Sequence, residues 1–135
     1  MDGRPEGQLK QRALVLFAHG ARAASWAAPF ERLRDATRAS LPGVEVTLAF
    51  LELMAPRLPE AVAELVTRGV EEVTVVPVFL GQGGHLLRDL PLLADGLRAA
   101  HPGLRVEVVG AVGEDPGVLA AMTDYCVRSL GQADS

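Results

Sequence analysis

Four short apolar runs punctuate the chain: ALVLFA at 13–18, VEVTLAFLEL at 44–53, the centre of VEEVTVVPVFL at 70–80, and LRVEVVGAV at 104–112. Each is short and apolar, and the last two are rich in β-branched valine, which predicts strands. Between and after them, apolar residues recur at helical spacing over 29–40, 58–68, 86–100 and 116–130. Pro29, Pro91 and Pro116 are expected in the first turns of these helices, where a missing N–H is tolerated. Pro42-Gly43 and Pro102-Gly103 break the chain just before the second and fourth strands.

Near-continuous apolar strands alternating with helices predict an α/β fold, a parallel sheet buried on both faces. With right-handed crossovers, the expected architecture is three-layered, with a four-stranded parallel sheet in the flavodoxin-like order 2-1-3-4. One domain is expected over 12–130, with a polar tail at 1–11 and a short tail at 131–135.

Composition adjusts this picture in a few places. Ala, Val, Leu and Gly carry the interior, since aromatics are only 4% of residues. The net charge of −4 argues against nucleic-acid binding through bulk charge. Twelve of the thirteen basic residues are arginine. Arginine suits carboxylate or phosphate recognition, but GC-rich coding favours it too, so only individual placements carry an argument. A lone Cys126 excludes a disulfide framework or a thiolate metal cluster, and a small buried hydrophobe in the last helix is its expected role. The polar start MDGRPEGQLKQR lacks a signal core, and no apolar run reaches membrane-spanning length. A cytoplasmic protein with no membrane partner is expected.

In an open parallel sheet, ligands bind beyond the carboxyl ends of the strands. His19 ends the first strand, Glu52 lies near the end of the second, and His85 follows the third after GQGG. Three residues with ligand or proton-transfer chemistry thus converge on one edge from three adjacent strands. Each has a plain alternative: a rim or capping role for the histidines, a solvated carboxylate for Glu52. Together, His, His and Glu suit a borderline divalent metal such as cobalt, nickel, iron or zinc better than calcium or magnesium. Gly83 and Gly84 allow a bulky ligand to approach the backbone. GQGGH lacks the Lys-Ser/Thr of a P-loop and does not fit the dinucleotide pattern. A strand ending in His-Gly also suggests a histidine phosphatase, but Ala18 stands where those enzymes carry arginine. His101, in an AHPG turn, is expected at a helix C-terminus.

HGAR at 19–22, FLE at 50–52 and above all VVPVFLGQGGHLLRDLP at 75–91 resemble the short-form class II tetrapyrrole chelatases of the CbiX/SirB type. The resemblance covers nearly all of 13–130, with Ala21 where the family's HGSR has serine. It implies insertion of cobalt or ferrous iron into sirohydrochlorin, towards cobalamin or sirohaem, with nickel also compatible with the ligand set. His19 and His85 match the family's metal-handling histidines, and Glu52 matches the acidic residue near them. The metal is a substrate and no organic cofactor is expected. A non-catalytic metal- or tetrapyrrole-binding module is the remaining alternative. Sirohydrochlorin is rich in carboxylates, and Arg22, Arg57 and Arg88, each a few positions after one of the three edge residues, are candidates to grip them. A macrocycle needs an enclosing cleft, and one lobe supplies one wall. Longer chelatases carry two lobes, so a homodimer is expected here.

Overall fold

The computed structural model describes residues 10–81 and 84–133, with side chains in the third helix described from Arg88 onward. Four strands form one sheet: β1 (Arg12–Ala18), β2 (Glu45–Phe50), β3 (Glu72–Pro77) and β4 (Arg105–Val108). All neighbours pair in parallel, in the order β2-β1-β3-β4. The helices are α1 (Ala28–Ser40), α2 (Leu58–Thr67), α3 (Gly84–Ala100) and α4 (Pro116–Ala133). Single 3-10 turns precede α1 (Ala24–Ala27) and α4 (Val112–Glu114). The expected α/β class and strand order are thus observed.

Alternation along the strands sorts the core into two layers. Val15, Phe17, Val73 and Val75 face α2 and α3 with at most 1% exposure. On the other face, Leu16, Ala18, Val46, Leu48 and Phe50 pack under α1, with the rings of Trp26 and Phe30 in tilted contact at 4.5 Å beside them. Two arginines tie helices to strands: Arg38 donates to the Val46 carbonyl and Arg98 to the Val106 carbonyl, both at 2.7 Å.

Several expectations need correction. β2 stops at Phe50 because the Phe50 amide bonds to the Pro56 carbonyl, turning 51–56 into a loop. β4 stops at Val108, short of the predicted 112. The Val78 amide donates to Phe17 in β1, so alternation directs the nitrogen of Pro77 at β4, where it offers no donor. Pro91 lies inside α3, not in its first turn, because the helix already starts at Gly84. Cys126 is exposed, not buried, because the main packing partner of α4 is the 3-10 turn Val112–Glu114 and not the sheet. α4 also runs to Ala133, into the segment expected as a tail. His101 sits, as expected, at the C-terminal end of α3, its amide bonded to the Leu97 carbonyl.

Candidate functional site

The carboxyl edge of the sheet is assembled largely by backbone. After β1, the chain reaches His19 and then Gly20, whose φ of 93° is a conformation that favours glycine. Leu51 and Glu52 continue past β2 alongside this segment, their amides donating to the carbonyls of Ala18 (2.9 Å) and His19 (3.1 Å). The approach is so close that a methyl group on Gly20 would fall on the Glu52 carbonyl. Gly20 therefore lets the two loops touch, and His19 and Glu52 are brought together through their backbones.

Both residues are exposed, and an aromatic floor lies beneath one of them. The His19 ring lies 4.7 Å from the ring of Phe79, which is only 7% exposed and meets Phe17 edge-on at 6.0 Å. The two rings meet at a tilt of 56°, so the exposed imidazole touches a core phenyl group. Sequence reasoning did not single out Phe79. The period-2 pattern Val73, Val75, Pro77, Phe79, continued past the strand end, carries the signal that it faces the α2–α3 layer.

The Glu52 loop is tightly folded. Leu53 has a φ of 68°, and the Met54 amide donates to the Glu52 carbonyl at 2.9 Å, a three-residue turn around a non-glycine residue. Such strained turns are sustained by the structure around them and concentrate at functional sites. Leu53 is 58% exposed and Leu80, beyond β3, is 71% exposed. These two apolar side chains stand on the same edge as His19.

His85 is the second residue of α3, so the backbone brings it to this edge as well, after the neighbouring strand β3. Its side chain lies outside the described residues, as does Gly83; Gly84 opens the helix. Among the described residues, no three His, Cys, Asp or Glu side chains gather as a metal-holding cluster. Arg22 and Arg88 are exposed and make no side-chain hydrogen bond or ion pair with a described residue. Arg57 differs: its Nε donates to the Leu51 carbonyl at 3.3 Å, bracing the loop that carries Glu52. An apolar groove of about 660 Å³ runs between α2 and α3, lined by Pro59, Ala63, Leu92 and Gly96 among others. It reaches the edge near Leu51, and neither His19 nor Glu52 lines it. Among the described residues no helix is long and apolar enough to cross a membrane.

Comparison with known proteins converges on one group. The CbiX family model matches residues 13–128. A sirohydrochlorin cobaltochelatase from Methanopyrus kandleri is 35% identical over 79 residues, which are 58% of this chain and 55% of that protein. The crystal structure of a CbiX protein from Marinobacter aquaeolei VT8 superposes with a TM-score of 0.80 at 33% identity, over 90% of this chain and 98% of that one. SirB from Bacillus subtilis with Fe3+ shares the fold, with a TM-score of 0.71 at 22% identity over 82% of this chain. The match spans about half of the Methanopyrus protein and 44% of the SirB chain, but nearly all of the Marinobacter chain.

Proposed function

The chain belongs to the CbiX family, and from that premise we propose that it is a sirohydrochlorin chelatase, a lyase that inserts cobalt or ferrous iron into the tetrapyrrole. The observation that carries the reading is the joining of His19 and Glu52, both exposed, at the edge to which α3 also brings His85.

The chemistry follows from what metallation requires. A hydrated divalent cation sheds water and binds four pyrrole-type nitrogens, and two inner N–H protons leave. The products are the metal complex and two protons, with no change of oxidation state. His19 and His85 take the incoming metal and receive protons, and the Glu52 carboxylate passes them to solvent. The metal is a substrate, and the reaction needs no organic cofactor. Phe79 holds the His19 ring from below, so the imidazole meets the macrocycle in a fixed orientation. Leu53 and Leu80 offer apolar contact to the flat faces of the ring. Arg22 and Arg88, free of described partners, are the best placed to take peripheral carboxylates bidentately. Arg57 contributes partly through its bond to Leu51.

A single edge covers one side of a macrocycle. The matched region is only 44% of the SirB chain, which leaves length there for a second lobe of this size. We therefore assign the second wall to a second copy of this chain, in a homodimer.

The test is direct. Purified protein is mixed with sirohydrochlorin and Co2+, Fe2+ or Ni2+ in turn, and the absorption spectrum is followed against a protein-free control. Acceleration of the change to the metallated spectrum is expected. A rate equal to the control with all three metals would refute the assignment, and phosphate release from phosphoesters would point to the phosphatase alternative.

A further inference from the structure

Asp89 is an acidic residue inside a helix, and nothing in its packing accounts for it. It is the sixth residue of α3, past the first turn in which a carboxylate gains from the helix dipole. Aspartate is a poor helix former at such an interior position. It is exposed and makes no side-chain hydrogen bond or ion pair with a described residue. Asp95, further along the same helix, is by contrast paired with Arg98 at 3.1 Å.

The helix sets Asp89 one turn after His85. Residues four apart share a helical face, with Cβ atoms about 5–6 Å apart. The Cα–Cβ bond tilts towards the helix N-terminus, so the later side chain covers the turn that precedes it. Among the described residues of α3, the buried ones are Leu90, Ala94 and Leu97. At 3.6 residues per turn, positions 85, 89, 92 and 96 fall within about 60° of one another, away from that buried stripe. Neither position 85 nor position 89 is therefore spent on seating the helix.

Asp89 is also on the side of α3 that meets the site. It lines the groove between α2 and α3 together with Leu51, the residue before Glu52. The Leu51 amide is in turn bonded to the Ala18 carbonyl, next to His19. As the first residue of α3 to line the groove, Asp89 marks its end nearest the carboxyl edge.

We propose that Asp89 is the positioning residue of His85. Its carboxylate accepts the N–H of one ring nitrogen, which fixes the tautomer and the plane of the ring. The lone pair of the other nitrogen is then left for the metal. The contact holds a proton in place and transfers none. The two site histidines are thus held by different means, His19 by contact with the Phe79 ring at 4.7 Å and His85 by a carboxylate one turn along its own helix. This inference rests on the proposed reading of His85 as a metal-handling residue.

The test reads the ring before it reads catalysis. Long-range proton–nitrogen correlation spectra of the metal-free chain report the tautomer of each of its three histidines. They are recorded at about pH 8.5, where an ordinary histidine is neutral, and the signals absent from His85→Ala identify His85. The parent should show one dominant tautomer of His85, and Asp89→Ala should return a mixture. In that variant Co2+ affinity, measured by calorimetry, and kcat for insertion should each fall about 10–100-fold. KM for sirohydrochlorin and the thermal melt should stay near the parent's. Asp89→Glu keeps the acceptor and should recover most of the loss. Unchanged tautomers in Asp89→Ala would overturn the proposal; if Co2+ binding fell all the same, Asp89 would be a ligand in its own right. A rise in KM alone would overturn it too, by placing Asp89 on the substrate. The tautomer and Co2+ readouts use no tetrapyrrole. A parent that inserts no metal would therefore refute the chelatase reading, while these two measurements still decide the role of Asp89.

Discussion

The amide of Glu52 donates to the carbonyl of His19 at 3.1 Å, so the loops after β1 and β2 form one hydrogen-bonded unit. Gly20 makes that contact possible, having φ 93° and no room for a methyl group against the Glu52 carbonyl. Gly20→Ala combines a left-handed backbone with a steric clash and should cost about 2–4 kcal/mol of stability. The loss should be visible in urea denaturation, together with a fall in insertion rate. A variant melting within a degree of the parent would show that the loops can separate without cost.

Phe79 links the core to the site, touching Phe17 on one side and the His19 ring on the other. Phe79→Leu keeps the position apolar but removes the flat surface beneath the imidazole. Stability should fall by about 1 kcal/mol. If Phe79 orients His19, kcat should drop several-fold while KM for sirohydrochlorin stays near its parent value. A parent-like kcat would leave Phe79 a core residue alone.

Much of this arrangement is open to sequence reasoning for identifiable reasons. Val-rich runs and the Pro-Gly breaks define four strands, and the carboxyl-edge rule converts strand ends into a site, which is how His19, Glu52 and His85 stand out. What escapes it are features set by contacts between distant segments. The Phe50–Pro56 hydrogen bond that ends β2 has no one-dimensional signature, nor does the turn around Leu53. Cys126 is expected inside because a free cysteine usually behaves as a small buried hydrophobe; residue type alone does not report whether its side of the helix is covered. Arginine is ambiguous in the same way. Arg38 and Arg98 serve strand carbonyls, and nothing in their spacing separates them from Arg22.

The three edge arginines should therefore behave differently from one another. Arg22→Ala and Arg88→Ala remove side chains without described partners and should raise KM for sirohydrochlorin roughly 5–30-fold, with kcat little changed, as expected for one charge-assisted contact each. Arg57→Ala also releases the Leu51 carbonyl, so the Glu52 loop loosens and kcat should fall with the rise in KM. Steady-state kinetics of the three variants decides the matter. Three unchanged KM values would return all of them to ordinary surface positions.

The histidines carry the strongest expectation. His19 is exposed, at the end of a strand whose core contacts come from Val15 and Phe17, so His19→Ala should cost at most about 1 kcal/mol of stability. If it handles the metal with His85, however, catalysed insertion should fall by two orders of magnitude or more in His19→Ala and in His85→Ala alike. The double variant should lose little beyond either single one, because two groups acting on the same ion lose their joint function once. Glu52→Gln keeps the loop's backbone bonds and removes only proton acceptance. It should slow turnover while leaving the binding of Co2+, measured by calorimetry without tetrapyrrole, close to the parent's. Insertion rates set beside thermal melts of these four proteins separate the possibilities. A single histidine variant with near-normal turnover makes that residue part of the rim, and two such variants would remove the histidine pair from the reaction altogether.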